Sequence, residues 1–245
     1  MNKAILLFLM IFQLLCVSQA NEALTSAELT SRALTSEELI AAYPSIAADS
    51  ERTENKAVLC PFIRMLERAG LFDSEHPENN SDIMVGLIDF TTKAKEFGCG
   101  ILGCGTVATL VSAGQLTYPS DVYYGKAQIG HVNITNLHKA RGVAHECGFT
   151  FSYGDTEVND VTRSNTLDKL LAKADPQGRL DQNDIMEVKL DICAEQNVEI
   201  SSAGGIEAGL IFKYLGGEDR GYVEYDDVVR LLNATMPKTK AINLL

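Results

Sequence analysis

An odd number of cysteines behind an export leader is the tightest constraint on this chain. Lys3 precedes an apolar run from Ala4 to Phe12 that resumes after Gln13 as far as Val17. Ser18-Gln19-Ala20 then offers the small residues that a signal peptidase accepts. Residues 1–20 are expected to be a signal peptide, because the apolar run is shorter than the roughly 20 residues of a membrane span. The mature chain is then exported into an oxidising setting, where thiols pair. Of six cysteines, Cys16 leaves with the leader, and Cys60, Cys99, Cys104, Cys147 and Cys193 remain. Four of these can close two disulfides in three ways, and the sequence does not choose among them. Cys99 and Cys104 are near enough in the chain for a small loop, which would leave Cys147 with Cys193. The fifth thiol is either a buried, inert group or one kept for chemistry.

The net charge of −12 argues against nucleic acid and anionic membrane surfaces as partners, since neither attracts a polyanion. Residues 21–54 are rich in Ala, Ser, Thr and Glu. They hold two near-copies of one motif, Ala23 to Leu29 and Ala33 to Leu39. This reads as a poorly packed arm or pro-segment in which Thr35 or Ser36 caps a helix of a turn or two. Beyond it the apolar residues fall at helical spacing. Leu59, Ile63, Leu66 and Ala69 form one face after Cys60, with Arg64, Glu67 and Arg68 opposite and Gly70 as a stop. The segments 82–97, 104–112, 162–174, 181–195, 206–215 and 225–233 follow the same pattern. The expected fold is all-α and single-domain, over residues 55–240. Sequons at Asn79, Asn133 and Asn233 are expected on the surface.

Cys60-Pro61 is the first candidate for chemistry. Proline suits the first helical position, so Cys60 is expected at the N-cap of the helix that follows. There the free N–H groups and the positive dipole end favour a thiolate. A thiolate can hold haem iron, although a structural cysteine at a helix start fits the dipeptide equally well. Glu207 is the second, a carboxylate in the apolar run Ile206-Glu207-Ala208-Gly209-Leu210-Ile211-Phe212. Burial there would raise its pKa and suit it to proton transfer; the solvated edge of a helix is the plainer alternative.

Three segments in order resemble the haem-thiolate peroxidase family of chloroperoxidases and peroxygenases: Leu59 to Leu71 with its Cys-Pro helix, Val132 to Glu146, and Gly205 to Phe212. The resemblance covers residues from about Leu59 to Pro237. It implies haem b held by Cys60, Glu207 as the acid–base that cleaves peroxide, and His145 as the distal histidine that orients Glu207. Where longer peroxygenases use an arginine seven residues before that glutamate, this chain has Ile200. The expected reactants are hydrogen peroxide and a small apolar organic substrate, and the expected state is a secreted monomer. The family's Glu-His-Asp reads Ala144-His145-Glu146 here, and its following serine aligns with Gly148. Two side chains that help bind Mg²⁺ or Mn²⁺ are thus absent, and little or no cation is expected unless Glu146 replaces them. The family's Asp-Gly-Arg turn is replaced by Asp73-Ser74-Glu75-His76.

A different class stays open. Asp175 to Asp184 and Glu218 to Asp227 resemble degenerate EF-hand loops. Each has a central Gly, an apolar residue two positions on and a final carboxylate, but lacks most Asp and Asn ligands. An exported, non-catalytic calcium-binding or interaction protein is the alternative, as is a haem-free relative with the same fold.

Overall fold

The computed structural model describes residues 33–72, 82–144 and 146–241. The expected signal peptide, the first copy of the repeat, Asn79 and His145 lie outside them. The described chain is mostly helical, with two short antiparallel strand pairs that the helical periodicity did not announce. No helix among the described residues is long and apolar enough to cross a membrane.

The second copy of the repeat is packed, which corrects the expectation of a loose arm from residue 33 onward. Thr35 and Glu38 close a capping box at the start of α1 (Ser36–Ala42). Leu39 and Ile46 are fully buried in the core. Tyr43 stacks on Phe97 with centroids 5.6 Å apart and donates its hydroxyl to Glu96 at 2.8 Å.

Helix α2 (Pro61–Arg68) starts where the Cys-Pro pair predicts, but its charged face is not solvated. Arg64 and Glu67 are 0% and 1% exposed, and Arg68 is 7% exposed. The Arg64 guanidinium donates to the carbonyls of Val58, Leu59 and Leu232 at 2.9, 3.1 and 2.9 Å and pairs with Glu54 at 2.8 Å. Glu54 also binds Arg163 at 2.6 Å. This buried network fixes the chain on both sides of Cys60; its counter-charge is Glu54, shared with Arg163 from a distant part of the chain.

A first layer follows: β1 (Met84–Gly86), α3 (Leu87–Glu96), a π turn (Ile101–Gly105), α4 (Thr106–Gln115), α5 (Pro119–Tyr123) and β2 (His131–Asn133), ending in a 3₁₀ turn (Ile134–Lys139). β1 and β2 pair with Val85 opposite Val132. α4 lies so close to the next segment that a Cβ on Gly114 would sit 2.6 Å from the Arg141 carbonyl oxygen. Asn133, expected at the surface, is fully buried. Its amide donates to Asp82 at 2.8 Å and to the Lys126 carbonyl at 2.9 Å, and its main-chain N–H donates to Gln115 at 3.0 Å. Buried polar groups need such partners, and these leave the side chain no path to solvent.

The second layer holds α6 (Asp160–Lys173), β3 (Arg179–Leu180), α7 (Gln182–Glu195), α8 (Ser202–Tyr214), α9 (Gly217–Arg220), β4 (Val223–Glu224) and α10 (Tyr225–Leu232). Asn159, Asp181 and Ser201 cap α6, α7 and α8 through their side chains. β3 and β4 join the two EF-hand-like segments, with Leu180 opposite Val223. α10 packs against both α2 and α6, so the Cys60 helix rests on this layer. The disulfides are Cys99–Cys104 and Cys147–Cys193, with Cα atoms 5.6 and 5.4 Å apart. Cys60 is the free cysteine among the described residues.

Candidate functional site

Cys60 is the N-cap residue of α2, in extended backbone with Pro61 behind it. The residue keeps some exposed surface, yet the atoms packed around its sulfur desolvate it. Burial therefore pushes the thiol pKa up. The main-chain N–H groups of Ile63 and Phe62 and the charge of Arg64 pull it down, and the carboxylate of Glu207 adds to the rise. The sulfur thus meets amide donors from its own helix and the field of Glu207 from α8. Burial thus favours the neutral thiol, and a metal would bind the sulfur only by displacing its proton.

Glu207 lies on α8 with its side chain 13% exposed. The apolar neighbours that suggested burial do not provide it, since Ile206 and Leu210 are exposed. The carboxylate pairs instead with the ammonium of Lys189, which is fully buried on α7. The same ammonium donates to the Cys147 carbonyl at 2.5 Å and lies 4.8 Å from the centre of the Phe149 ring. Sequence reasoning passed over Lys189. Its signal was there: it falls one turn after Ile185 and just before Ile192 and Cys193, on the buried stripe of α7.

His145 lies outside the described residues. Glu146 is exposed beside Cys147. At Gly148 the Phe151 ring fills the space a Cβ would enter, with an atom 2.1 Å away. Phe62 meets Tyr214 edge to face with centroids 5.0 Å apart, linking the first turn of α2 to the last of α8. The Tyr214 hydroxyl is buried without a hydrogen-bond partner. A separate polar cleft of about 280 Å³ is lined by Ala57, Asp82, Asn136, His138 and Thr156, and neither Cys60 nor Glu207 lines it.

The EF-hand-like loops are tied internally. Asp175 accepts the N–H groups of Gln177 and Arg179 and pairs with the Arg179 guanidinium at 2.7 Å. Asp184 closes the capping box with Asp181. In the second loop Arg220 donates to the carbonyls of Leu215 and Gly216. Asp227 accepts the N–H groups of Lys238 and Thr239 at 2.6 and 3.1 Å. The Arg179 and Arg220 guanidiniums both stack on Tyr222, at 5.0 and 5.2 Å from its centroid. Oxygen atoms that would face a Ca²⁺ ion face these arginines and main-chain amides instead. Among the described residues, no cluster of three or more His, Cys, Asp or Glu side chains is arranged to hold a metal ion.

No protein-family model, curated protein or solved structure matches this chain.

Proposed function

We propose that this chain is an exported haem-thiolate oxidoreductase that uses hydrogen peroxide on a small apolar organic substrate, within a single mostly helical domain. The observation that carries the reading is the Cys60 sulfur at the start of α2, met by the amides of Phe62 and Ile63 and by the field of Glu207. The Cys60 sulfur fits a haem iron in donor type: burial keeps it a thiol, and an iron bound there would displace the proton and leave a thiolate whose electron donation the amides temper. When bound, haem supplies the iron and the electrons for O–O cleavage.

The chain's own residues do the rest. Cys60 would hold the iron through its sulfur, and the Glu54–Arg64 network holds the backbone of Cys60 in place. In this reading Glu207 is the group that would pass a proton from peroxide to the departing oxygen, and the buried Lys189 ammonium orients its carboxylate. The Phe151 ring at Gly148 supports the expectation that little or no Mg²⁺ or Mn²⁺ binds beside it. An absorption spectrum of the reduced, CO-treated protein tests the reading. A strongly red-shifted Soret band that is lost in Cys60→Ala is expected. A histidine-type band, or failure to bind added haem, refutes it.

The paired loops favour a second reading, a non-catalytic exported interaction module of EF-hand descent. Arg179 and Arg220 on Tyr222 support it, since they steady the loop pair without a cation. A protein that neither binds haem nor responds to Ca²⁺ would decide for it.

A further inference from the structure

The polar cleft of about 280 Å³ lies apart from Cys60 and Glu207, and hydrogen bonds tie down its walls. One wall is the 3₁₀ turn Ile134–Lys139. Gln115 donates to the Asn136 carbonyl at 3.1 Å, and the Asn136 amide donates to Asp121 at 3.3 Å. Ala57, Thr156 and Glu157 come from two other segments. The Val158 N–H donates to the Lys56 carbonyl at 2.8 Å, and the Ala57 N–H donates to the buried Asn55 side chain at 3.1 Å. The cleft is therefore pre-formed, with a volume at the lower edge of small-molecule sites.

Its lining narrows the occupant. Ala57 is the one apolar residue there, and none of the lining residues is Phe, Tyr or Trp. An apolar molecule gains little in such a place, and a quaternary ammonium finds no aromatic face. Three charged side chains line it. Asp82 accepts from the Asn133 amide at 2.8 Å and pairs with Lys126 at 3.6 Å. Lys139 pairs with Asp121 at 3.4 Å. Glu157 is exposed and has no partner, which leaves its negative charge uncompensated.

His138 adds a second, independent observation. Its Nδ1 is buried with no hydrogen-bond partner. A proton there would have no acceptor, so the neutral ring carries its proton on Nε2, the nitrogen left to face the cleft. A second proton is resisted for the same reason. Burial, and then the charge of Lys139, hold the ring below its ordinary pKa against the pull of Asp121. The ring thus offers the cleft an N–H donor without a positive charge.

We propose that this cleft is a binding site for a small primary amine that carries a hydroxyl or carbonyl oxygen. Its ammonium meets Glu157 and the Thr156 hydroxyl, and its oxygen accepts the imidazole N–H of His138. The inference goes beyond the haem reading and does not depend on it.

Two-dimensional NMR of the imidazole groups in the purified protein tests this, with ethanolamine as the probe. The chain has four histidines, and His138→Gln identifies the signals of His138. Ethanolamine should shift them saturably and leave those of His131 in place. With so few heavy atoms in the probe, a dissociation constant of about 1 mM is expected. Glu157→Gln, at an exposed and unpaired position, keeps the fold and should weaken binding by up to about fivefold, the range of an exposed ion pair. Added salt should weaken binding in the wild type and far less in that variant. At equal ionic strength acetate should leave His138 unmoved, and choline, which has no ammonium hydrogens to donate, should bind more weakly than ethanolamine. No saturable shift up to about 100 mM ethanolamine overturns the site. An affinity unchanged in Glu157→Gln, or an equal response to acetate or choline, overturns the assignment of a primary amine.

Discussion

Replacing Arg64 with methionine tests whether the buried network around Cys60 holds the fold. The substitution keeps the bulk of the side chain and removes its five donors. Three main-chain carbonyls, of Val58, Leu59 and Leu232, lose their partner in a site where Arg64 is 0% exposed. Each buried group left unsatisfied costs about 1–3 kcal/mol, less where water enters. Glu54 keeps Arg163 at 2.6 Å, so its charge is not abandoned and the loss stays below that of a fully broken pair. Taken together, about 3–5 kcal/mol is expected, which is the usual range for removing one partner from a buried ion pair. That is a large share of the ~5–15 kcal/mol of an ordinary domain. For a chain of this length it lowers the melting temperature by roughly 6–20 °C. Guanidinium unfolding followed by far-ultraviolet circular dichroism measures the difference, and Arg64→Lys should fall in between because it keeps the charge and loses the fork. A loss of less than about 1 kcal/mol at unchanged denaturant slope would refute the reasoning.

Other outcomes follow from single contacts. Millimolar Ca²⁺ should leave the melting temperature unchanged, because Asp175 already pairs with Arg179 and Asp227 already accepts the N–H groups of Lys238 and Thr239; a rise would return the loops to the calcium-binding class. Asp227→Ala should cost about 2–4 kcal/mol by urea unfolding, since it removes the acceptor of two main-chain N–H groups that tie down residues 238 and 239. Tyr214→Phe should be neutral or stabilising in the same assay, because the hydroxyl it removes is buried with nothing to bond. Burial lowers the pKa of Lys240 from 10.5 to about 8. The unfolded chain therefore binds the extra proton between these values, and stability should rise as pH increases from about 8 towards 10.5. Lys240→Met should flatten that rise.

The sequence announced the helices well where one face alone was apolar or where a cap was spelled out. Pro61 marked the start of α2, and Thr35 marked the cap of α1. It misled wherever burial is two-sided. In α2 the charges fall opposite the apolar stripe, yet α10 and a 3₁₀ turn after α1 (Pro44–Ile46) cover the helix from other directions. The Glu54 carboxylate and the carbonyls of Val58, Leu59 and Leu232, the last far along the chain, make the burial of Arg64 tolerable. No local pattern carries that information. The loop pairing was half legible: spacing gave the central glycines, Leu180 and Val223, but not that Arg179 and Arg220 stack on Tyr222. At the candidate site, Cys60 and Glu207 came from motif and resemblance. Lys189 was missed because a charged residue on a buried stripe was not examined for a partner. The reading of Asn133 failed for a related reason, since a sequon marks a chemical opportunity and says nothing of where the fold puts it.

That last residue has a consequence for how the chain is made. Sugar transfer to a sequon takes place on an extended, newly translocated chain, before the strands have met. Asn133 is open then, and once β1 and β2 have paired it is sealed at 0% exposure with both amide hydrogens engaged. A glycan attached at that moment cannot be housed afterwards, so a modified molecule has no route to this structure. Production in a glycosylating cell thus becomes a race between strand closure and the transferase. The winners emerge bare at Asn133, and the losers stay behind as material for quality control.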